Sequence, residues 1–413
     1  MLFIVDIVVG RDDDDLKRYG SKGTIPLGKH IVGTGEDVHL TTPLLLDVLR
    51  PHLIVLTGKR GTGKSYSLGV IVEEIGKLPD ELRKNLCSLI IDPQGIFWTM
   101  KTPNEKDTAL LNEWGLKSKG FNVSVYVPEG QYDKFIAAGV EADGAFSVHP
   151  SQLTAEDWIY VFNLDTTGMI SIILRKALKN LHGGHTIDDV IHELGKEERF
   201  ETEKMSLQNM FHAAKTWGIF GEEKMPDLLV GGKTSVLDVS LTPQNVRALL
   251  VSIVSKKIFE ERVTARRREE TAETEVAPIQ RKPMPWIFID EAHNFLPSET
   301  ETAATDILNR IVREGRQPGI SLIFATQRPE KLHQDALAQA DMIISHSLTA
   351  KGDVESLKSI MQTYLLYDIG KYINELPKQK GVGIILDDNS ERVYKIKIRP
   401  RQSWHAGSSP TAL

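Results

Sequence analysis

The hydrophobic positions of the chain form short apolar runs, separated by longer stretches with helical spacing. Each run has the length of one buried strand, and several end in a polar or turn-forming residue. Near-continuous apolar strands that alternate with helices are typical of a parallel sheet with helices on both faces. We therefore predict an α/β fold with a mostly parallel sheet. The predicted strands are residues 53–57, 88–92, 123–127, 235–240, 286–290, 321–326 and 342–345.

The remaining segments indicate how this core is divided along the chain. Residues 154–220 have helical spacing and few strand signals, which predicts a helical insertion, and residues 244–262 predict a long helix. The charged residues 266–282 predict a mobile loop or a frayed helix end, and residues 382–386 and 393–398 predict a hairpin. The expected organisation is a reduced N-terminal β region (1–50), a core in two parts (51–150 and 231–400), the helical insertion (151–230) and a C-terminal tail (401–413).

The N-terminal segment has few clear signals. Residues 1–9 are apolar, but Asp6 interrupts them and no basic residues precede them, so a strand is expected rather than a signal peptide. The acidic run from Asp12 to Asp15 predicts a solvated turn.

Composition narrows the class of protein. The chain has 413 residues, of which 41% are hydrophobic and 26% charged, as in an ordinary folded protein. Its single cysteine, Cys87, excludes an intramolecular disulfide and any cysteine-based zinc site. The formal net charge is −6, so any nucleic-acid contacts must come from locally concentrated basic residues. No stretch has the 18 or more apolar residues that span a bilayer, which predicts a cytoplasmic protein without membrane attachment.

One motif predicts a phosphate-binding loop. Residues 58–65 match the pattern GxxxxGK[ST] and lie between a predicted buried strand and a predicted helix, as the motif requires. Its glycines let backbone N–H groups surround phosphate oxygens, and the helix that follows directs its positive end at them. Lys64 would bind the β- and γ-phosphates of ATP, and the Ser65 hydroxyl would bind Mg²⁺. The expected nucleotide-binding residues are Gly58, Arg60, Gly61, Thr62, Gly63, Lys64, Ser65 and Tyr66.

A second motif supplies acidic groups at the end of a predicted strand. Asp290 and Glu291 follow four apolar residues, and ligands bind at the carboxyl ends of strands in open α/β sheets. Asp290 is predicted to hold the hydration shell of Mg²⁺, and Glu291 to orient or deprotonate the attacking water. His293 is either a reporter of bound nucleotide or a packing residue.

Three further residues complete the predicted catalytic set. Gln327 follows the next predicted strand and would lie beside the γ-phosphate, where it could sense hydrolysis. Arg313 and Arg316 lie at the end of the preceding helix, away from the chain's own phosphate-binding loop. An arginine in such a place is suited to reach the active site of a neighbouring subunit and to stabilise charge in phosphoryl transfer.

These motifs together resemble the HerA family of ring-forming ATPases, which are relatives of the FtsK-type DNA translocases. The resemblance implies a RecA-like, hexameric motor that moves duplex DNA with ATP and Mg²⁺. It also implies a separate nuclease or other effector as partner, in DNA processing or antiviral defence. Arg313 and Arg316 match the trans-acting arginines of the family. The resemblance rests on residues 27–30 with Gly33, 58–65, 91–95, 288–293, 313–316 with Gly319, 325–329, and 401–405 with Ser409 and Pro410.

The chain departs from the family pattern at two places and shares one further segment with it. Family members usually carry a β-barrel of about a hundred residues before the motor, which is expected to be reduced or absent here. Ile96 replaces an acidic residue that often follows the Asp-Pro-His-Gly motif, so no role is expected for Asp92 beyond ending its strand. The tail around His405 matches a segment that reaches toward a neighbouring subunit in the family.

Other ATPase classes fit less well. A two-lobed helicase of superfamily two would need a second RecA lobe about 150 residues beyond His293, and only 120 residues follow it. The signature loop of an ABC-type ATPase is not found. Two functions remain open: a processive DNA motor, or a ring-shaped scaffold or regulatory ATPase that switches an effector with little translocation.

Overall fold

The computed structural model describes residues 6–33, 38–222, 224–275, 281–346, 376–377 and 379–407. The first seven strands are β1 Ile7–Val9, β2 Thr24–Val32, β3 His39–Asp47, β4 Leu53–Thr57, β5 Leu86–Asp92, β6 Val123–Pro128 and β7 Gly144–Phe146. The other strands are β8 Thr234–Asp238, β9 Met284–Ile289, β10 Ser321–Thr326, β11 Met342–His346, β12 Val382–Asp387 and β13 Arg392–Ile398.

Twelve α-helices are present in the same residues. The first six are α1 Asp13–Tyr19, α2 Lys64–Gly76, α3 Asp80–Arg83, α4 Thr108–Glu113, α5 Tyr132–Ala137 and α6 Ala155–Val161. They are followed by α7 Met169–Asn180, α8 Ile187–Gly195, α9 Glu201–Ala214, α10 Gln244–Glu275, α11 Thr305–Glu314 and α12 Gln334–Ala338. Within the described residues, no helix is both long and apolar enough to cross a membrane.

All the described strands join one sheet, in the order β1-β3-β2-β13-β12-β11-β4-β10-β9-β5-β8-β6-β7. The eight strands from β11 to β7 run parallel to one another. Antiparallel pairs join β11 to β12, β12 to β13, β13 to β2 and β2 to β3. The prediction of a mostly parallel α/β sheet is confirmed, and so is the hairpin of β12 and β13.

Two hydrophobic cores cover the two faces of this sheet. In β4, Ile54 and Leu56 join one core together with Leu68 of α2, and Val55 joins the other together with Val254 of α10. Successive side chains of a strand point to opposite faces, so a strand buried on both sides must be apolar throughout. This requirement explains why the central strands are continuous apolar runs in the sequence.

Four helices, α6 to α9, lie in the segment for which a helical insertion was expected. Its first helix starts at a capping box, in which the Thr154 side chain accepts from the Asp157 N–H and the Asp157 carboxylate accepts from the Thr154 N–H. The insertion packs around aromatic side chains, with Trp158 4.6 Å from Phe211 and 5.3 Å from Phe162 between ring centroids. These rings join the core on the face of the sheet that α10 covers.

The N-terminal strands extend the same sheet. Strand β1 confirms the strand expected in the first nine residues, of which residues 1–5 lie outside the described part. Strands β2 and β3 pair with each other, and β2 pairs with β13 through His30 and Ile396. Neither strand was predicted, because proline interrupts each of them and the first four residues of β3 are wholly or partly exposed.

Two charged segments differ from their predictions. The acidic run forms the start of α1, not a turn, because the Asp12 carboxylate caps the helix by accepting from the Asp15 N–H at 2.7 Å. Acidic residues also stabilise the positive end of a helix.

Helix α10 continues regularly to Glu275, into the stretch where a loop or frayed end was expected. Ion pairs one turn apart, such as Arg266 with Glu270 at 3.1 Å, support this extension. Residues 276–280 lie outside the described part.

Candidate ATP site at the carboxyl ends of the central strands

Four adjacent strands, β4, β10, β9 and β5, bring most of the predicted site residues to one edge of the sheet. Parallel strands end at the same edge, so the segments that follow them meet there. The phosphate-binding loop (residues 58–65) follows β4, Asp290 follows β9, and Gln327 follows β10. Asp92 is the last residue of β5.

The phosphate-binding loop has the backbone that its glycines allow. Gly61 and Gly63 have φ values of +78° and +116°, which residues with a side chain adopt only with strain. Lys64 begins α2, is buried, and donates from its ammonium group to the carbonyl oxygen of Lys59 at 3.1 Å. Burial lowers the pKa of Lys64, and the nearby carboxylates of Glu291 and Asp290 oppose this change.

Ser65 and Asp290 form the oxygen pair expected of a magnesium site. The Ser65 hydroxyl donates to Oδ2 of Asp290 at 2.6 Å, although the two residues lie 225 positions apart in the chain. Asp290 is completely buried, and burial raises the pKa of its carboxyl group. A hydroxyl and a carboxylate oxygen are hard ligands of the kind that Mg²⁺ prefers. These two residues therefore fit the cation that would accompany ATP.

The two carboxylate oxygens of Glu291 have different surroundings. Oε1 accepts from the side-chain amides of Gln94 at 2.9 Å and Gln327 at 3.2 Å. Oε2 is buried and accepts no hydrogen bond from the described residues, and it lies 3.6 Å from Nδ1 of His293. Burial raises the pKa of Glu291, and the neighbouring Asp290 adds to this. Oε1 is thus held in place by two donors, whereas Oε2 can accept a hydrogen bond from a group that is not part of the described chain.

His293 lies between two residues of this site. Its Nδ1 is 3.0 Å from the Thr326 hydroxyl and 3.6 Å from Oε2 of Glu291. Burial lowers the pKa of His293, and Arg328 lowers it further, so the ring is neutral near pH 7. The structure places this side chain in the site itself, in contact with the end of β10.

Comparison with known protein families finds two matches along the chain. The profile of the family described as "Helicase HerA, central domain" matches residues 25–258. A second profile, "Helicase HerA-like C-terminal", matches residues 274–403. The first match alone spans more than half of the 413 residues.

The chain belongs to the HerA family.

Individual relatives show how far the similarity extends. The "DNA double-strand break repair helicase HerA" of Pyrococcus furiosus is 29% identical over 163 residues, which are 35% of this chain and 29% of that protein. The protein of the same description from Sulfurisphaera tokodaii is 22% identical over 407 residues, which cover 97% of this chain and 74% of that protein. The solved structure of VirB4 from Thermoanaerobacter pseudethanolicus has a TM-score of 0.57 at 13% identity, covering 92% of this chain and 97% of VirB4.

These comparisons confirm the resemblance to HerA proteins and the prediction of an ATPase. The likeness to VirB4 shows a shared α/β fold. The aligned segments leave part of each curated HerA relative unmatched.

The turn after β5 gives Asp92 a role that the sequence interpretation denied it. The completely buried Asp92 carboxylate accepts four backbone N–H groups at 2.7 to 3.1 Å, those of residues 94–97. Burial and the neighbouring Asp238 raise the pKa of Asp92. The expectation that Asp92 only ends its strand is wrong, because its side chain fixes the turn that presents Gln94 to Glu291.

The C-terminal residues of this HerA-family chain pack against its own helix α2. We call residues 399–405 the strap. Tyr66 of α2, predicted to bind nucleotide, places its ring edge-on to His405 with 5.5 Å between ring centroids. The expectation that the tail around His405 reaches a neighbouring subunit differs from this intramolecular packing. Ser409 and Pro410 lie outside the described residues.

The remaining predicted site residues occupy different surroundings. Arg60 is exposed in the phosphate-binding loop, and the Thr62 hydroxyl donates to the Lys59 carbonyl oxygen at 2.7 Å. Arg313 is paired with Asp335 of the same chain, Nε to Oδ2 at 2.9 Å. Arg316 is exposed in the turn between α11 and β10, and it forms no ion pair with any described residue. This turn lies at the opposite end of β10 from Gln327, about 20 Å away.

Sequence reasoning missed two features of the HerA site. Gln94 was part of a quoted motif but received no role, and its contact with Glu291 joins residues 197 positions apart. The contacts of the strap with α2 were also missed, although residues 401–405 were part of a quoted motif, because the partners lie more than 300 positions earlier. The one available signal was Glu73, an acidic residue on the apolar face of a predicted helix.

Proposed function

We propose that this HerA-family ATPase hydrolyses ATP to move duplex DNA, working as a homo-oligomeric ring. The observation that carries the proposal is the convergence of Lys64, the Ser65–Asp290 pair and Glu291 at one sheet edge. Each of these groups has the chemistry that one step of phosphoryl transfer requires. The family assignment supports the coupling to DNA.

The residues divide the reaction between them. Backbone N–H groups of the phosphate-binding loop and the Lys64 ammonium bind the phosphates. Ser65 and Asp290 would hold Mg²⁺, and the cation would supply positive charge that offsets the negative charge of the phosphates. Glu291 orients the attacking water or accepts its proton through Oε2, the oxygen that accepts no hydrogen bond from the described residues. Gln327, which already contacts Glu291, senses the change at the γ-phosphate.

The position of Arg316 supports a ring. Its turn is about 20 Å from the phosphate-binding loop of the same chain, so it cannot reach the γ-phosphate there. Arg316 is exposed and pairs with no carboxylate of the described residues, so it is available to a second copy, in which it would stabilise the transition state. A head-to-tail interface of this kind closes into a cyclic ring when its rotation allows closure. The resemblance to HerA favours six subunits.

The proposed DNA substrate and partner follow from the relatives. The Pyrococcus and Sulfurisphaera proteins are described as DNA double-strand break repair helicases, and we extend DNA processing to this chain. A motor moves DNA without cutting it, so we also propose a separate nuclease or other effector as partner, in repair or antiviral defence. The net charge of −6 requires DNA contacts at local basic sites, with binding that weakens as salt rises.

Steady-state ATP hydrolysis, with and without linear duplex DNA at low salt, tests the proposal. We expect stimulation of several fold by DNA, and loss of activity in Lys64→Ala. A matched control is Lys84→Ala, because Lys84 is exposed at the other edge of the sheet. A hydrolysis rate that does not change with DNA, or hydrolysis that begins only when an effector protein is added, would instead favour the alternative function, a ring-shaped scaffold or regulatory ATPase.

A further inference from the structure

Gln94 holds the carboxylate of Glu291 from the side opposite Gln327. Gln94 follows β5 and Gln327 follows β10, and these strands flank β9, which leads to Glu291. Both side-chain amides donate to the same oxygen, Oε1, at 2.9 and 3.2 Å. Two donors on one oxygen fix the rotation of the carboxylate, and Oε2 accepts no hydrogen bond from the part of the chain that the structure describes.

The turn that carries Gln94 is fixed by hydrogen bonds and by close packing. The Asp92 carboxylate accepts the N–H of Gln94 at 3.1 Å and three further backbone N–H groups of the turn. Arg247 donates to the Pro93 carbonyl oxygen at 3.1 Å. At Gly95, with φ +68°, an added Cβ would lie 2.7 Å from the Ser240 hydroxyl. The turn therefore has little freedom, and the Gln94 amide is presented from a rigid support.

We propose that Gln94 is a positioning residue for ATP hydrolysis, which fixes Glu291 so that Oε2 meets the attacking water. The proposal rests on the proposed function, because it assumes that Glu291 handles that water. Gln94 itself would contact neither the phosphates nor the cation. Its loss should therefore slow the chemical step without weakening nucleotide binding.

The Glu291 side chain has room for misplacement when one donor is removed. Glu291 has a φ of 51°, so its backbone already adopts a sharp turn after Asp290. The carboxylate lies near Asp290, whose negative charge repels it, and near Lys64, whose positive charge attracts it. When Gln94 is removed, Oε1 keeps only the hydrogen bond from Gln327, which is the longer of the two. Without Gln94, the carboxylate would sample orientations in which Oε2 does not meet the water.

The test compares kcat, KM for ATP and melting temperature in the full chain. Gln94→Ala removes the donor and should lower kcat by about 10-fold. The KM should stay within about twofold, and the melting temperature within about 2 °C. Gln94→Glu should lower kcat further, because a second carboxylate would face Glu291. Gln339→Ala is the control, since Gln339 is an exposed glutamine in the turn before β11, at the opposite sheet edge.

A double-mutant cycle separates positioning from a general structural effect. In a Glu291→Ala background, Gln94→Ala should change the single-turnover rate by less than about twofold, because no carboxylate remains to be positioned. An equal loss in both backgrounds would overturn the proposal, and so would a wild-type kcat in Gln94→Ala. If the wild-type chain hydrolyses ATP and Lys64→Ala does not, either of these two results overturns only the role of Gln94 and leaves the proposed function intact. A wild-type chain without hydrolysis overturns both proposals.

Discussion

The backbone N–H of Arg401 donates to the hydroxyl of Tyr66 at 2.5 Å, which ties the strap to the first turn of the helix that follows the phosphate-binding loop. Two residues earlier, Arg399 is paired with Glu73 of the same helix at 2.8 Å. The Glu73 carboxylate also accepts the backbone N–H groups of Gln402 and Ser403 at 3.1 and 2.9 Å. The C-terminal end of the described chain is therefore part of the support of the ATP site.

Removing the charge of Glu73 should destabilise the protein strongly. Glu73 is completely buried, and Arg399 and Arg401 beside it are 3% and 0% exposed. Glu73→Gln takes from Arg401 the one counter-ion that the described residues give it, and leaves Arg399 paired with Glu74 alone. We expect the free energy of unfolding to fall by about 3 kcal/mol, measured by urea titration. Glu113→Gln, at an exposed helical glutamate, should change it by less than about 0.5 kcal/mol. Similar effects of the two substitutions would contradict this role of Glu73.

Lys64→Ala should abolish tight ATP binding. The ammonium group of Lys64 is the cation that the loop directs at the phosphates, and alanine cannot replace it. Titration with a fluorescent ATP analogue should give a Kd at least about 10-fold weaker than that of the wild type. Lys84→Ala should bind as the wild type does. An unchanged Kd for the ATP analogue in Lys64→Ala would contradict the assignment of residues 58–65 as the nucleotide-binding loop.

Glu291→Gln should separate binding from hydrolysis. The substitution keeps the size of the side chain and its contacts with two amide donors, but it removes the base. We expect ATP affinity close to the wild-type value and a kcat lower by about 100-fold or more. Binding is measured as for Lys64, and turnover by phosphate release. Normal turnover in this variant would show that another group handles the attacking water.

Arg316→Ala and Lys64→Ala subunits should rescue each other when they are mixed. An inactive Arg316 variant keeps an intact phosphate-binding loop, and a Lys64 variant keeps an intact arginine for its neighbour. Arg316→Ala alone should lower kcat by about 1,000-fold, whereas Arg313→Ala should lose less, because Arg313 is already paired with Asp335. The readout is ATP hydrolysis across mixing ratios. Absence of rescue in proven mixed assemblies would argue against a shared site.

His52 should make stability depend on pH above neutrality. Burial would lower the pKa of His52, but Asp341 and Asp47 outweigh burial and raise it to about 9. The charged form therefore contributes stability that is complete below the ordinary pKa of about 6.5 and is lost as pH rises through 9. Urea unfolding should show a lower free energy at pH 10 than at pH 7. His52→Gln should reduce this difference, and His182→Gln, at an exposed histidine, should leave it unchanged.

The central strands could be predicted because both of their faces are buried. Residues such as Ile54, Val55 and Leu56 are all apolar, so the strand is visible without knowledge of its neighbours. Strand β3 was missed for the opposite reason. Its buried side chains alternate with exposed or half-buried ones only near its end, and Pro43 interrupts the pattern. The motifs at the ends of the central strands could be predicted because each combines residue types of known chemistry with the end of such a strand.

Contacts between distant segments were beyond prediction from one sequence. Ser65 and Asp290 could be assigned to one cation because each belongs to a motif with known chemistry. Gln94 belongs to no such motif, and only the order of strands β5 and β9 brings it to Glu291. The same holds for Glu73 and Arg399, whose pairing depends on where the chain returns after β13.

The pairing of β2 with β13 has a mechanical consequence. From β2 the sheet continues through β13, β12 and β11 to β4, which leads directly into the phosphate-binding loop. These four steps span about 20 Å of laterally hydrogen-bonded strands. Because such a network stretches very little, a load applied to β2 would be transmitted across the sheet to β4. A pull at this end of the molecule and the strain of ATP turnover are therefore borne by the same set of backbone hydrogen bonds.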